Sequence, residues 1–130
     1  MGRMTSAVLA GFVVVGLMIF LPVVADSETA PREIVLVTRD MAFYLEGQQI
    51  PNPVLTMTAG ETVRIVVRNK DAGIGHNFEV PAWDETTSIA YGDATVMVRI
   101  EVPLYQGRYN YVCRPHAAMM SGVIAVVSAK

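Results

Sequence analysis

The sequence predicts an all-β fold, a Greek-key antiparallel β-sandwich, preceded by an N-terminal hydrophobic helix. Three observations predict it. From residue 32 onward the chain is a series of short runs rich in Val, Ile, Thr and Tyr, the residues that suit a pleated, half-buried surface. Turn residues break these runs at regular spacing, which is the mark of a sandwich rather than of alternating strands and helices. No stretch of the body keeps a helical period, whereas several alternate with period two.

Glu33 to Arg39 reads as a first strand and Asp40 to Leu45 as a second, followed by a loop from Glu46 to Pro53 that carries Gly47, Pro51 and Pro53. Val54 to Thr58 leads into the turn signal Ala59-Gly60. The clearest strand of the first half is Glu61 to Asn69, where Val63, Ile65 and Val67 share one face and Arg64 and Arg68 point away. Lys70 to Gly75 is a polar, glycine-bearing loop that delivers His76. After Asn77-Phe78-Glu79-Val80 the chain breaks at Pro81, and a short strand is expected at 86–90. Thr95 to Val102 alternates, with Val96, Val98, Ile100 and Val102 inward and Met97, Arg99 and Glu101 outward. A turn at Gln106-Gly107 opens the strand Arg108 to Cys113, which puts Tyr109, Tyr111 and Cys113 on one face. Val123 to Val127 closes the body as a buried strand. This is a single domain over 33–130, with no internal repeat and no low-complexity tract.

The N-terminus differs in kind. One basic residue, Arg3, precedes an uncharged run from Ala7 to Ala25 that ends in small residues, the pattern of an export signal. The run is also just long enough to span a bilayer. Residues 1–25 are therefore read as a signal peptide or a membrane anchor, with 26–32 as a polar linker. Both readings place the domain outside the cytoplasm, in the periplasm or on the outer face of a membrane to which residues 7–25 would tether it. The net charge is −2, from 10 basic and 12 acidic residues. With no Lys/Arg cluster on any segment, nucleic acid is not an expected partner.

The chemistry is gathered near the C-terminus. Tyr111-Val112-Cys113-Arg114-Pro115-His116-Ala117-Ala118-Met119-Met120-Ser121-Gly122 holds the only cysteine, one of the two histidines and two methionines. A lone cysteine excludes an intrachain disulfide framework. A thiolate, an imidazole and a thioether on one short loop form a soft donor set that suits copper better than calcium or magnesium. Cys113 lies at a strand end, and Pro115 stiffens the turn that brings His116 back towards it. His76 would complete two imidazoles and one thiolate, with a weak axial thioether from a methionine. Met119, three residues past His116, and Met120, four past it, compete for that place. Asn77 is a candidate to tie the two ligand loops by hydrogen bonds.

From about residue 33 to 129 the chain resembles the small cupredoxins, such as plastocyanin, amicyanin and pseudoazurin. The residues that carry the resemblance are Gly75-His76-Asn77-Phe78, the run Gly107-x-Tyr109-x-Tyr111-x-Cys113-x-Pro115-His116, the exit Met120-Ser121-Gly122, and the turn Ala59-Gly60-Glu61-Thr62-Val63-Arg64. The resemblance implies a Greek-key sandwich, one type 1 copper ion, and one-electron transfer to protein redox partners; it also favours Met120 over Met119 as the axial ligand, since Met120-Ser121-Gly122 matches the family's exit into the last strand. Those partners would dock at an apolar patch around His116 made by Pro115, Ala117, Ala118 and Met119.

Two histidines and one cysteine leave no ligands for the second copper site of a multicopper oxidase or nitrite reductase, so the chain is expected not to be an enzyme. A binuclear copper site would need a second cysteine. The competing expectation is a periplasmic carrier or chaperone that holds Cu(I), an idea the Met119-Met120 pair keeps open.

Overall fold

A computed structural model describes Gly2 and residues 30–129. Apart from Gly2, the N-terminal segment read as hydrophobic helix, signal or anchor lies outside the described residues. Among the described residues no helix is long and apolar enough to cross a membrane.

Among the described residues nine strands form two sheets packed face to face. They are β1 (Arg32–Arg39), β2 (Ala42–Leu45), β3 (Leu55–Thr58), β4 (Thr62–Asn69), β5 (Glu79–Val80), β6 (Glu85–Thr86), β7 (Thr95–Glu101), β8 (Gly107–Val112) and β9 (Ser121–Val127). One sheet has the order β2-β1-β4-β7 and the other β3-β9-β8-β5-β6. The alternation seen in the sequence is what joins them. Val63, Ile65 and Val67 on β4 are fully buried, as is Ile100 on β7, and they meet Met57, Tyr111, Met120 and Ile124 of the facing sheet in one core cluster.

The sandwich is not purely antiparallel, as the sequence had suggested. β1 pairs with β4 in parallel, and β3 pairs with β9 in parallel. The cause lies in the loop between β2 and β3. Asn52 donates its N–H to the Phe43 carbonyl and its Nδ2 to the Met119 carbonyl, so this loop returns the chain to the end where β2 began. β3 and β4 then run in the sense that parallel pairing requires. Alternation alone is blind to this, because period two is the same in either direction.

The strand expected at 86–90 is also shorter, covering only Glu85–Thr86. Beyond it the Phe78 N–H is taken by the Thr87 hydroxyl at 3.0 Å instead of a ladder carbonyl, and pairing resumes only at a single bridge between His76 and Ala90.

β1 and β2 are joined by the two-residue turn Asp40–Met41, with both residues at positive φ (52° and 58°). This is the hairpin geometry whose twist matches the flanking strands. It is normally filled by Asn, Asp or Gly, and Met41 there needs outside support.

At the centre of the core Tyr111 stacks on Phe78 at 5.2 Å and meets Phe43 edge-on at 5.4 Å. Its hydroxyl donates to the Pro53 carbonyl at 2.7 Å. Gly122 lies opposite Tyr111 in the β8–β9 ladder. A Cβ at residue 122 would stand 2.3 Å from the Tyr111 ring, so glycine is required there by close approach.

Candidate metal centre

The ends of β4 and β8 and the start of β9 meet at one end of the sandwich, and the donor side chains collect there. Cys113 follows β8 in extended conformation (φ −91°, ψ 114°), and the chain then makes a single 3-10 turn, Arg114–His116, with Pro115 near its start. The pyrrolidine ring presets φ for such a turn. Backbone bonds close the loop. The His116 N–H donates to the Cys113 carbonyl at 3.0 Å, the Met120 N–H to the His116 carbonyl at 2.9 Å, and the Cys113 N–H to the Met120 carbonyl at 2.9 Å.

His76 comes from the loop after β4, and two backbone hydrogen bonds to Ala90, of 3.0 and 2.8 Å, hold its main chain. Asn69 shapes the loop that delivers it. The buried Asn69 side chain donates to the carbonyls of Ile74 (2.7 Å) and Ala90 (3.0 Å) and accepts from Thr38 Oγ1 (2.9 Å).

These elements bring His76, Cys113 and His116 together, with their donor atoms all within 4.8 Å of one another. Cys113 Sγ is 3.6 Å from His76 Nδ1 and 3.6 Å from His116 Nδ1. One thiol proton cannot serve both rings, whereas one cation can. Bonds of about 2.0 Å to nitrogen and about 2.3 Å to sulfur, opened to between tetrahedral and trigonal angles, separate the sulfur from each nitrogen by about 3.5–3.7 Å. The spacing therefore fits a single first-row ion, and thiolate with imidazole selects copper over hard cations.

His76 and Cys113 are buried and His116 is half-buried. Met120 is fully buried in the same core cluster as Cys113, while Met119 is 57% exposed. Burial pushes the Cys113 thiol up from its ordinary value, against the opposing pull of the Asn77 and His116 backbone N–H groups. A cation held there would reverse that balance by favouring the thiolate, the form that the two N–H groups also favour.

Around the donors lies a hydrogen-bonded frame. Asn77 Oδ1 accepts the Arg114 N–H at 2.8 Å, and Asn77 Nδ2 donates to Thr86 Oγ1 at 3.1 Å. One amide thus joins the His76 loop to the Cys113 loop. The exposed Arg114 side chain reaches back in a bidentate pair to the buried Glu79, at 2.6 and 2.7 Å. The Arg114 guanidinium holds the Glu79 carboxyl below the usual range, against the opposing cost of burial.

Sequence reasoning missed Asp71 altogether. Its Oδ2 lies 2.8 Å from His76 Nε2, and the carboxylate also accepts the N–H groups of Asp40 (2.8 Å) and Met41 (3.2 Å). Burial alone would raise the Asp71 carboxyl, but the bonds from His76 and the two turn amides outweigh it and hold the group below its ordinary value. An acidic residue a few positions before a candidate histidine ligand was the only available signal, and in a polar loop that signal is weak.

Residues 11–126 match the cupredoxin-like domain family, a match that begins inside the segment read as signal or anchor. Among solved structures the chain is similar to auracyanin A, a "blue" copper protein from the green thermophilic photosynthetic bacterium Chloroflexus aurantiacus. The TM-score is 0.59 at 23% identity, covering 75% of this chain and 100% of that one. It is also similar to reduced rusticyanin, with a TM-score of 0.55 at 24% identity over 73% of this chain and 78% of that one. Dithionite-reduced auracyanin from Roseiflexus castenholzii gives a TM-score of 0.59 at 15% identity over 75% of this chain and 98% of that one. No curated protein sequence matches the chain. The structural likenesses concern the fold, and the family match spans most of the sequence: the chain belongs to the cupredoxin-like family.

Proposed function

We propose that this chain is a one-electron carrier for a single type 1 copper ion, which His76, Cys113 and His116 would hold, with Met120 as the weaker thioether donor. The observation that carries this reading is the convergence of two imidazole nitrogens and one thiol sulfur within 4.8 Å at the end of a sandwich whose other described residues contain no comparable group. Copper bound there would supply reversible exchange of one electron between Cu(II) and Cu(I).

The protein's part is to keep the donors still. Cys113 and His116 sit on one hydrogen-bonded turn, His76 is pinned through Ala90, and Asn77 ties the two loops. A frame that barely moves keeps the cost of changing oxidation state low. The hairpin register supports Met120 over Met119, since Met120 faces Cys113 inside the core and Met119 faces solvent.

His116 is the only half-exposed member of the set, and Pro115, Ala117, Ala118 and Met119 beside it are exposed. We place the docking of protein redox partners on that apolar rim. We also place the domain, 33–130, outside the cytoplasm, delivered by residues 1–25 as a cleaved signal or a retained tether and joined through 26–32. The reading assigns no substrate chemistry to the chain.

Addition of Cu(II) to the purified domain tests this. An intense blue thiolate-to-copper band that ascorbate bleaches and oxidant restores is expected. A protein that stays colourless and binds only Cu(I) would instead be a copper carrier.

A further inference from the structure

We propose that Asp71 is a positioning residue for His76: its carboxylate fixes the ring with Nε2 protonated and Nδ1 open towards Cys113, and its negative charge, passed through the imidazole, favours the more highly charged state of the bound metal. The inference rests on the copper reading for its second half and stands on the metal-free geometry for its first.

The geometry is specific. The His76 side chain has no solvent exposure and that of Asp71 is only 13% exposed, so the 2.8 Å contact between them is shielded from water. An ionised carboxylate can only accept. The proton of a neutral His76 must therefore sit on Nε2, which leaves the lone pair on Nδ1, the atom 3.6 Å from Cys113 Sγ. His116 also presents Nδ1 to the same sulfur, but no carboxylate is found beside its ring among the described residues. The two imidazoles are thus unequal, and the difference is a nearby anion.

Asp71 is itself held. Its N–H donates to Asn69 Oδ1 at 3.0 Å, and its oxygens receive the amides of Asp40 and Met41. Those amides belong to the left-handed β1–β2 turn. The carboxylate therefore links the turn of one sheet to the donor at its end. Carboxylate partners of ligating histidines typically raise ligand basicity, and their loss costs about 10–100-fold in metal affinity.

The test compares wild type with D71N, which keeps the size and an acceptor oxygen for the turn but removes the charge, and with D71A. In the metal-free wild type, 15N NMR of the ring should show His76 protonated at Nε2, and D71A should lose that preference. In the loaded protein D71N should bind Cu(II) about tenfold more weakly while its affinity for Cu(I) stays nearly unchanged. Its Cu(I)/Cu(II) ratio at fixed ambient potential should then rise about tenfold, an upward shift of about 59 mV for one electron. A purely structural role would lower thermal stability in D71N or D71A and leave the D71N potential where it was; that result overturns the proposal. Nδ1 protonation of His76 in the metal-free wild type overturns it equally. If the wild type failed to bind copper, the electron-carrier reading would fall, while the ring spectrum would still decide whether Asp71 orients His76.

Discussion

Cys113 and Met120 face each other one step beyond the β8–β9 ladder: the last ladder pair is Val112 with Ser121, and the Cys113 N–H then donates to the Met120 carbonyl at 2.9 Å. Both side chains turn into the core, whereas Met119 turns out and is 57% exposed. Replacing Met120 by Leu removes the thioether but nearly conserves volume, so the fold should lose less than about 1.5 kcal/mol. If Met120 is the weak thioether donor, its loss costs Cu(II) more than Cu(I), and the reduction potential should rise. M119L should leave it nearly unchanged. Voltammetry of the two variants checks the assignment, and a larger shift in M119L would reverse it.

Asn77 spans both ligand loops through Arg114 N and Thr86 Oγ1. Its replacement by Ala leaves the Arg114 N–H without its partner, a cost of about 1–3 kcal/mol. The frame around the thiolate should loosen as well. Lower stability in chemical unfolding and slower electron self-exchange are expected together; a variant with slower exchange and unchanged stability would separate the two roles.

Much of this architecture was legible in the chain. The period-two runs at β4 and β7 gave the strands because one face of each is buried, and Cys113, His116 and the methionines declared themselves because they are local to one hairpin. What stayed hidden depends on partners far apart in sequence. Asp71 reads as loop composition until the β1–β2 turn and His76 are placed around it. The partner of the exposed Arg114 is hidden in the same way, since only the placing of β5 brings Glu79 beneath it. The parallel pairing of β1 with β4 depends on the path of the loop after β2, which alternation does not encode.

Gly122 illustrates a residue whose role emerges only from packing. Its Cβ would meet the Tyr111 ring at 2.3 Å, and that ring is buried, stacked on Phe78 and hydrogen-bonded to Pro53. The G122A variant should lose about 1–3 kcal/mol through overpacking. Y111F should lose about 0.5–1.5 kcal/mol, the usual net worth of a hydrogen bond. Urea unfolding of both variants and of the pair together would show coupling, because the two residues touch.

Acid should destabilise the metal-free domain in a defined direction. Glu79 is held below its ordinary value by Arg114, and Glu61 by Arg32 and the Thr58 N–H despite the opposing cost of burial. Groups with depressed folded values contribute stability that is fully present above the unfolded carboxylate value, about 4.3 for Glu, and lost as pH falls through the folded one. Melting temperature should therefore drop below about pH 4.3, and E79Q or E61Q should flatten that dependence. Stability that rose on acidification would contradict the pairing.

The central claim is that one copper ion sits among His76, Cys113, His116 and Met120, in a frame that holds in both oxidation states. X-ray absorption at the copper edge, on oxidised and on reduced protein, tests it most directly. One short sulfur and two imidazole nitrogens are expected in both states, with bond lengths that barely change on reduction. A shell without sulfur, or one that gains or loses a nitrogen on reduction, would contradict it.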